Sequence, residues 1–248
     1  MPTSRPNVIF LIMDSFRQDH MRFYNPHAPC PTPHLDRLAR EGVAFDNCYP
    51  EGLPTIPVRT CWLTGERTLV DRGWQPLAPE DRSLAEILSD EGYLTGMFSD
   101  NYHYARPGMN LHRGFRTFEW VRGQEYDNYR SAPLQRFKLD DYCQPSYPPE
   151  WRRLVEHALQ NLEDLETADD YYCARLSRLA GDWAAANAPG ERPLFMWVDS
   201  FDPHEPWLPP HEFDRFTDPG YRGKKLILPP GGPASAHFSE AEMAYIRG

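Results

Sequence analysis

The sequence predicts an α/β fold: a mostly parallel (mixed) central sheet sandwiched between helices. Three observations lead there. Asn7 to Met13, Leu94 to Phe98 and Leu194 to Val198 are short apolar runs that each end abruptly in polar residues, as buried parallel strands do. Stretches with helical spacing separate them, so strand and helix alternate as in βαβ units. Turn-rich, proline-rich segments connect these elements.

In chain order, Asn7 to Met13 reads as a fully buried strand that stops at Asp14. Thr32-Pro33 gives an N-cap followed by a first-turn proline, opening a helix through Leu35, Leu38 and Ala39 to Gly42. Val43 to Phe45 predicts a short strand, and a helix follows near Arg59 to Thr64. Ser83 to Glu91 places Leu84, Ile87 and Leu88 on one helix face, with Gly92 as its stop. Leu94 to Phe98 is the second core strand. Trp151 to Leu165 and Thr167 to Ala186 read as two longer helices paired as a hairpin, and Leu194 to Val198 as the third core strand, ending at Asp199. Ser239 to Arg247 begins a further helix.

Ligands of such sheets bind beyond the carboxyl ends of the strands. That rule selects Asp14-Ser15, Ser99 to His103 and Asp199 to His204. Three polar strand ends converging on one rim carry more weight than any one of them.

The 248 residues suffice for one large domain with a buried core. A formal net charge of -10 argues against a general nucleic-acid binder. The 26 prolines cluster at Pro26 to Pro33, Pro145 to Pro149 and Pro203 to Pro233, predicting rigid loops. Five cysteines without Cys-x-x-Cys spacing argue against a disulfide framework or a structural zinc site, and Cys61 reads as a small buried helix residue. The run Val8 to Met13 is too short to span a membrane or to form a signal-peptide core, so no membrane partner and a cytoplasmic location are expected.

The chemistry centres on Thr55-Ile56-Pro57-Val58-Arg59. Pro57 suits a first helical turn, which leaves Thr55 where free N–H groups and the positive dipole end favour an anion. A metal that lowered the hydroxyl pKa would let Thr55 attack sulfur or phosphorus, with Arg59 returning over one turn to hold an oxyanion. The same spacing also fits a plain helix cap followed by a surface arginine. Asp14 offers a hard oxygen to a divalent cation, though strand-end aspartates also serve as turn residues. His103 and His204 lie on loops at the other two strand ends. A neutral His103 fits binding a sulfonyl or phosphoryl oxygen or protonating a leaving alkoxide, and His204 fits a loop histidine bonded to a backbone carbonyl.

Thr55-x-Pro57-x-Arg59 followed by Leu63-Thr64-Gly65-Glu66-Arg67 resembles the nucleophile segment of sulfatases, enzymes of the alkaline phosphatase superfamily. In that family a Cys or Ser opens the run and is oxidised to formylglycine, whereas here the position holds Thr55, which has no route to the aldehyde. Asp202-Pro203-His204-Glu205-Pro206 resembles the family's His-x-Pro segment, and Thr32-Pro33-His34-Leu35-Asp36-Arg37-Leu38 its first helix start. Asp14-Ser15 stands where the family usually has two acids, and Asp100-Asn101-Tyr102-His103 where many members carry Gly-Lys-Trp-His. The resemblance implies a sulfatase/alkaline-phosphatase-like fold. It also implies Thr55, Arg59, His103 and His204 as catalytic residues, and Asp14 and Thr55 as ligands of a divalent cation (calcium, magnesium, manganese or zinc). His112 and Arg113 are expected to be loop anchors.

The function expected is a metal-dependent hydrolysis of a small anionic sulfate, phosphate or phosphonate ester. The competing expectation is a non-catalytic anion- or partner-binding protein of the same fold, or an inactive fragment. Residues 1 to 248 are expected to form the N-terminal part of one catalytic domain, truncated at the C-terminus, because the family's later strand with its remaining metal ligands has no counterpart before Gly248.

Overall fold

The computed structural model describes residues 5–69, 71–231 and 238–247. Four strands form one sheet in the order β1-β4-β2-β3: β1 (Val8–Met13), β2 (Leu94–Ser99), β3 (Thr117–Trp120) and β4 (Leu194–Ser200). Every pairing is parallel, with Ile12 opposite Asp199 and Ser99 opposite the same Asp199 from the other side. The three apolar runs are therefore neighbours, and their carboxyl ends share one rim.

The helices are α1 (Pro33–Glu41), α2 (Thr55–Thr64), α3 (Leu84–Asp90), α4 (Tyr102–Ala105), α5 (Pro149–Leu162), α6 (Tyr172–Asn187) and α7 (Glu240–Arg247). Alternation along β4 divides the core. Phe195 and Trp197 pack with Ile56, Leu63, Ala85 and Tyr104 of α2, α3 and α4. Met196 and Val198 face Tyr172, Leu176 and Ala180 of α6. A strand buried on both faces favours apolar residues at successive positions, which is why β4 is hydrophobic from Leu194 to Val198 before it closes on Asp199 and Ser200.

A third cluster joins α5 to Leu226, Ile227 and Leu228, and the Trp151 indole N–H donates to the Leu228 carbonyl at 2.8 Å. The expected α5–α6 hairpin takes a specific form. The Tyr172 hydroxyl at the start of α6 donates to the Asn161 carbonyl near the end of α5, while α6 itself lies on the sheet.

Three expectations need correction. β1 is an edge strand among the described residues, with Ile9 and Leu11 exposed, because its alternate face carries no covering element. Val43 to Phe45 is not a strand: both ends are exposed and no neighbouring strand offers hydrogen bonds. Thr117 to Trp120 instead forms β3, on the free edge of β2. Thr32 does precede α1, but its hydroxyl donates to Asp36 instead of capping the helix. The end of the third proline-rich stretch, 232–233, lies outside the described residues.

Gly114 ties the sheet to α3. It sits at φ 89°, and a Cβ there would lie 2.4 Å from the Glu86 backbone nitrogen. Glu86 and Ser83 form a reciprocal cap at the start of α3, so this close approach falls on the helix's first turn. Arg113 donates to the Ala78 carbonyl and pairs with Glu86, and His112 stacks on Phe118, so both residues hold their loop as expected.

Candidate active site

Thr55 is the first residue of α2 and is buried. One turn on, Arg59 is also buried, and its guanidinium reaches across to the sheet. Nε and Nη2 donate to the two oxygens of Asp199, each at 2.9 Å, and Nη2 also lies 3.0 Å from Asp14 Oδ2. One cation thus joins the carboxyl ends of adjacent strands β1 and β4.

The Nε/Nη2 edge of the guanidinium is therefore engaged by a buried carboxylate. Burial alone pulls the Arg59 pKa down, but the Asp199 and Asp14 charges and hydrogen bonds more than offset it and hold the group charged. Burial pushes Asp199 up, and Arg59 opposes that shift.

Asp100 follows β2 and is fully buried. It accepts a hydrogen bond from the Phe201 backbone N–H at 2.6 Å. Burial, then repulsion from Asp202 and Asp199, raises its pKa well above the usual carboxylate range. Ser99 locks the same region: its hydroxyl donates to the Asp199 carbonyl and accepts from the Asn101 N–H and the Tyr104 hydroxyl. The Asn101 side chain accepts from the His103 N–H at 3.1 Å, which starts the short helix α4.

His103 is held by this cap and by a second group. Its Nε2 lies 2.7 Å from Glu125 Oε2, a buried carboxylate oxygen that otherwise has no hydrogen-bond partner. Glu125 is buried and adopts φ 55°, an uncommon conformation for a side chain of this length. His204 Nδ1 lies 2.9 Å from the Glu205 carbonyl, which can only accept, so Nδ1 carries a proton. Phe201 stands between the two imidazoles, with ring centroids 5.7 Å from His103 and 4.2 Å from His204.

The structure therefore brings Asp14 and Arg59 into contact, sets Thr55 one turn from Arg59 on the same helix, and groups His103 with His204 around Phe201. Sequence reasoning missed the roles of Asp199 and Glu125. Asp199 carried a signal, as the acid closing a core strand, whereas Glu125 carried none in its local sequence. Cys61, expected to be buried, is partly exposed, and no disulfide forms among the described cysteines.

A divalent cation requires several donors free to face it. Asp14 Oδ2 makes no hydrogen bond beyond its contact with Arg59, and Asp199 is taken up by the same guanidinium. Among the described residues no three His, Cys, Asp or Glu side chains form a metal-binding group. Asp14 supplies one donor, and these residues alone do not fit a complete metal site.

A family model described as Sulfatase matches residues 6–225. The N-acetylglucosamine-6-O-sulfatase of Bacteroides thetaiotaomicron is 25% identical over 211 residues, covering 84% of this chain and 32% of that protein. Arylsulfatase A of Homo sapiens is 29% identical over 238 residues, covering 90% of this chain and 46% of the relative. Among solved structures, the phosphonate monoester hydrolase of Agrobacterium radiobacter superposes with a TM-score of 0.57 at 21% identity, covering 88% of this chain and 45% of that one. The chain spans less than half the length of each of these three proteins.

Proposed function

The chain belongs to the sulfatase family, and on that premise we propose that it carries the nucleophile of a hydrolase acting on sulfate or phosphorus esters, with Thr55 as the attacking group. The observation that carries this reading is the placement of Thr55. It opens a helix at the carboxyl rim of a parallel sheet, one turn from a buried arginine that joins two strand ends.

In the proposed step, the Thr55 oxygen forms a bond to sulfur or phosphorus while the ester oxygen leaves. His204, protonated on both nitrogens, gives its Nε2 proton to the leaving alkoxide. In this reading His103, whose Nε2 faces Glu125 at 2.7 Å, takes the Thr55 proton on Nδ1. Water then hydrolyses the threonine ester. Phosphorus is the easier centre for an unmodified threonine, since a sulfated threonine lacks the aldehyde-hydrate route for expelling sulfate. Arg59 acts here by fixing Asp14 and Asp199, not by gripping the substrate.

Enzymes of this superfamily generally use a divalent cation. Asp14 is the residue of this chain that would contribute to holding one. The proposal includes that requirement without a step routed through the ion.

The engagement of Arg59 by two carboxylates favours a second reading, a non-catalytic binder of anions or partners. Thr55→Ala separates the two. Turnover of 4-nitrophenyl sulfate, phosphate and phenylphosphonate is measured with calcium, magnesium, manganese or zinc added in turn. An enzyme loses turnover on Thr55→Ala while retaining its fold. If the unaltered chain turns over none of the esters with any cation, the binding reading stands.

A further inference from the structure

We propose that a cavity beside His204 receives the alcohol portion of the ester, and that this portion is an uncharged, extended apolar or aromatic group carrying no second anion. The inference rests on the hydrolase reading above and specifies its substrate.

The cavity measures about 550 Å3, within the range that encloses a drug-sized molecule. It opens between the start of α6, the end of α5, the 123–125 loop and the proline-rich segment after β4. Leu162, Tyr171, Trp207, Leu208 and Phe213 supply apolar and aromatic walls. Pro203, Pro206, Pro209 and Pro210 stiffen one side, so little order has to be gained on binding. His204 and Glu125 also line it, which makes it continuous with the imidazole pair around Phe201.

Two features select the ligand. The lining contains no lysine or arginine and includes the carboxyl groups of Glu125, Asp169 and Asp202, so a second sulfate or a carboxylate on the alcohol would find no cationic partner there beyond His204. Few polar groups on the lining are free to receive a ligand. Asp202 accepts from the Gln124 amide at 3.1 Å and from Cys173 at the start of α6, which leaves Glu125 Oε2 as a buried acceptor beside His103. A hydroxyl-rich sugar entering this space would set most of its donors and acceptors against apolar walls, whereas a flat aromatic or alkyl group needs no such partners.

The test uses the full 248-residue chain and 2-naphthol, the uncharged product of a naphthyl ester, as probe. The expected result is saturable quenching of tryptophan fluorescence, lost in Trp207→Phe, together with slowed amide exchange in residues 168–174 and 203–213. Ala174→Trp, which fills the cavity from α6, should weaken binding by roughly tenfold or more. The exchange measurement on the unaltered chain decides the matter if that variant does not fold. In parallel, 2-naphthyl sulfate and phosphate are compared with glucosamine 6-sulfate and glucose 6-phosphate as substrates, and the naphthyl esters should have the higher kcat/KM.

Turnover of esters with no binding of 2-naphthol, or with preference for the sugar esters, overturns the cavity assignment and leaves the hydrolase reading intact. Binding of 2-naphthol with no turnover of any ester removes the hydrolase reading and, with it, the cavity's role as an alcohol site, while leaving its apolar preference in place.

Discussion

Arg59 on α2 and Asp199 at the end of β4 are joined by two parallel hydrogen bonds of 2.9 Å, although 140 residues separate them in the chain. Both are buried, so neither has water to replace a lost partner. Removing one partner strands the other. Arg59→Ala and Asp199→Ala should each destabilise the fold by about 3–5 kcal/mol in urea unfolding, and the double variant by less than the sum. Additive losses would show that the pair does not act as a unit.

Glu125→Gln tests how His103 is held. The amide keeps the shape of the side chain but removes the carboxylate that faces Nε2 at 2.7 Å. On the proposed mechanism the kcat of an active ester falls by roughly tenfold or more with KM little changed. A change in KM alone would assign Glu125 to substrate binding.

Asp100 makes stability depend on pH. Its folded-state pKa is raised by burial and by neighbouring carboxylates, so the folded chain holds the proton more tightly than the unfolded one. This contribution is complete below about pH 4, the unfolded value, and is lost as pH rises through the folded pKa. Asp100→Asn keeps an acceptor for the Phe201 N–H and removes the ionisation. The variant should therefore gain stability relative to the native chain between pH 4 and 8, read from urea midpoints. A constant difference across that range would mean Asp100 does not titrate there.

Gly114→Ala sets a Cβ against the capped first turn of α3 at a positive φ. The cost expected is about 1–3 kcal/mol, seen as a lower thermal midpoint with loss of the Ser83–Glu86 cap.

The amino-acid pattern revealed β1, β2 and β4 because strands in a parallel sheet are apolar along their length and stop sharply at polar residues. β3 escaped notice. Thr117 to Trp120 is four residues long and only partly buried, and it is a strand because β2 offers it a free edge. Val43 to Phe45 has comparable strand propensity but meets no edge, which shows how strongly pairing overrides local preference. Thr55, His103 and His204 could be placed because their motifs are contiguous. Asp199 as the partner of Arg59 and Glu125 as the partner of His103 could not, since those contacts arise only when distant segments fold together.

Among the described residues, β1 pairs on one side only and displays Ile9 and Leu11. An unpaired edge of this kind can add strand to strand with a second molecule and cover apolar surface at once. The formal charge of -10 opposes such encounters. The repulsion is expected to be weakest near the pI of about 5.4 and in high salt, where it is screened. Light scattering across pH and ionic strength would follow that balance directly, and a lysine at Leu11 should tip it toward the monomer.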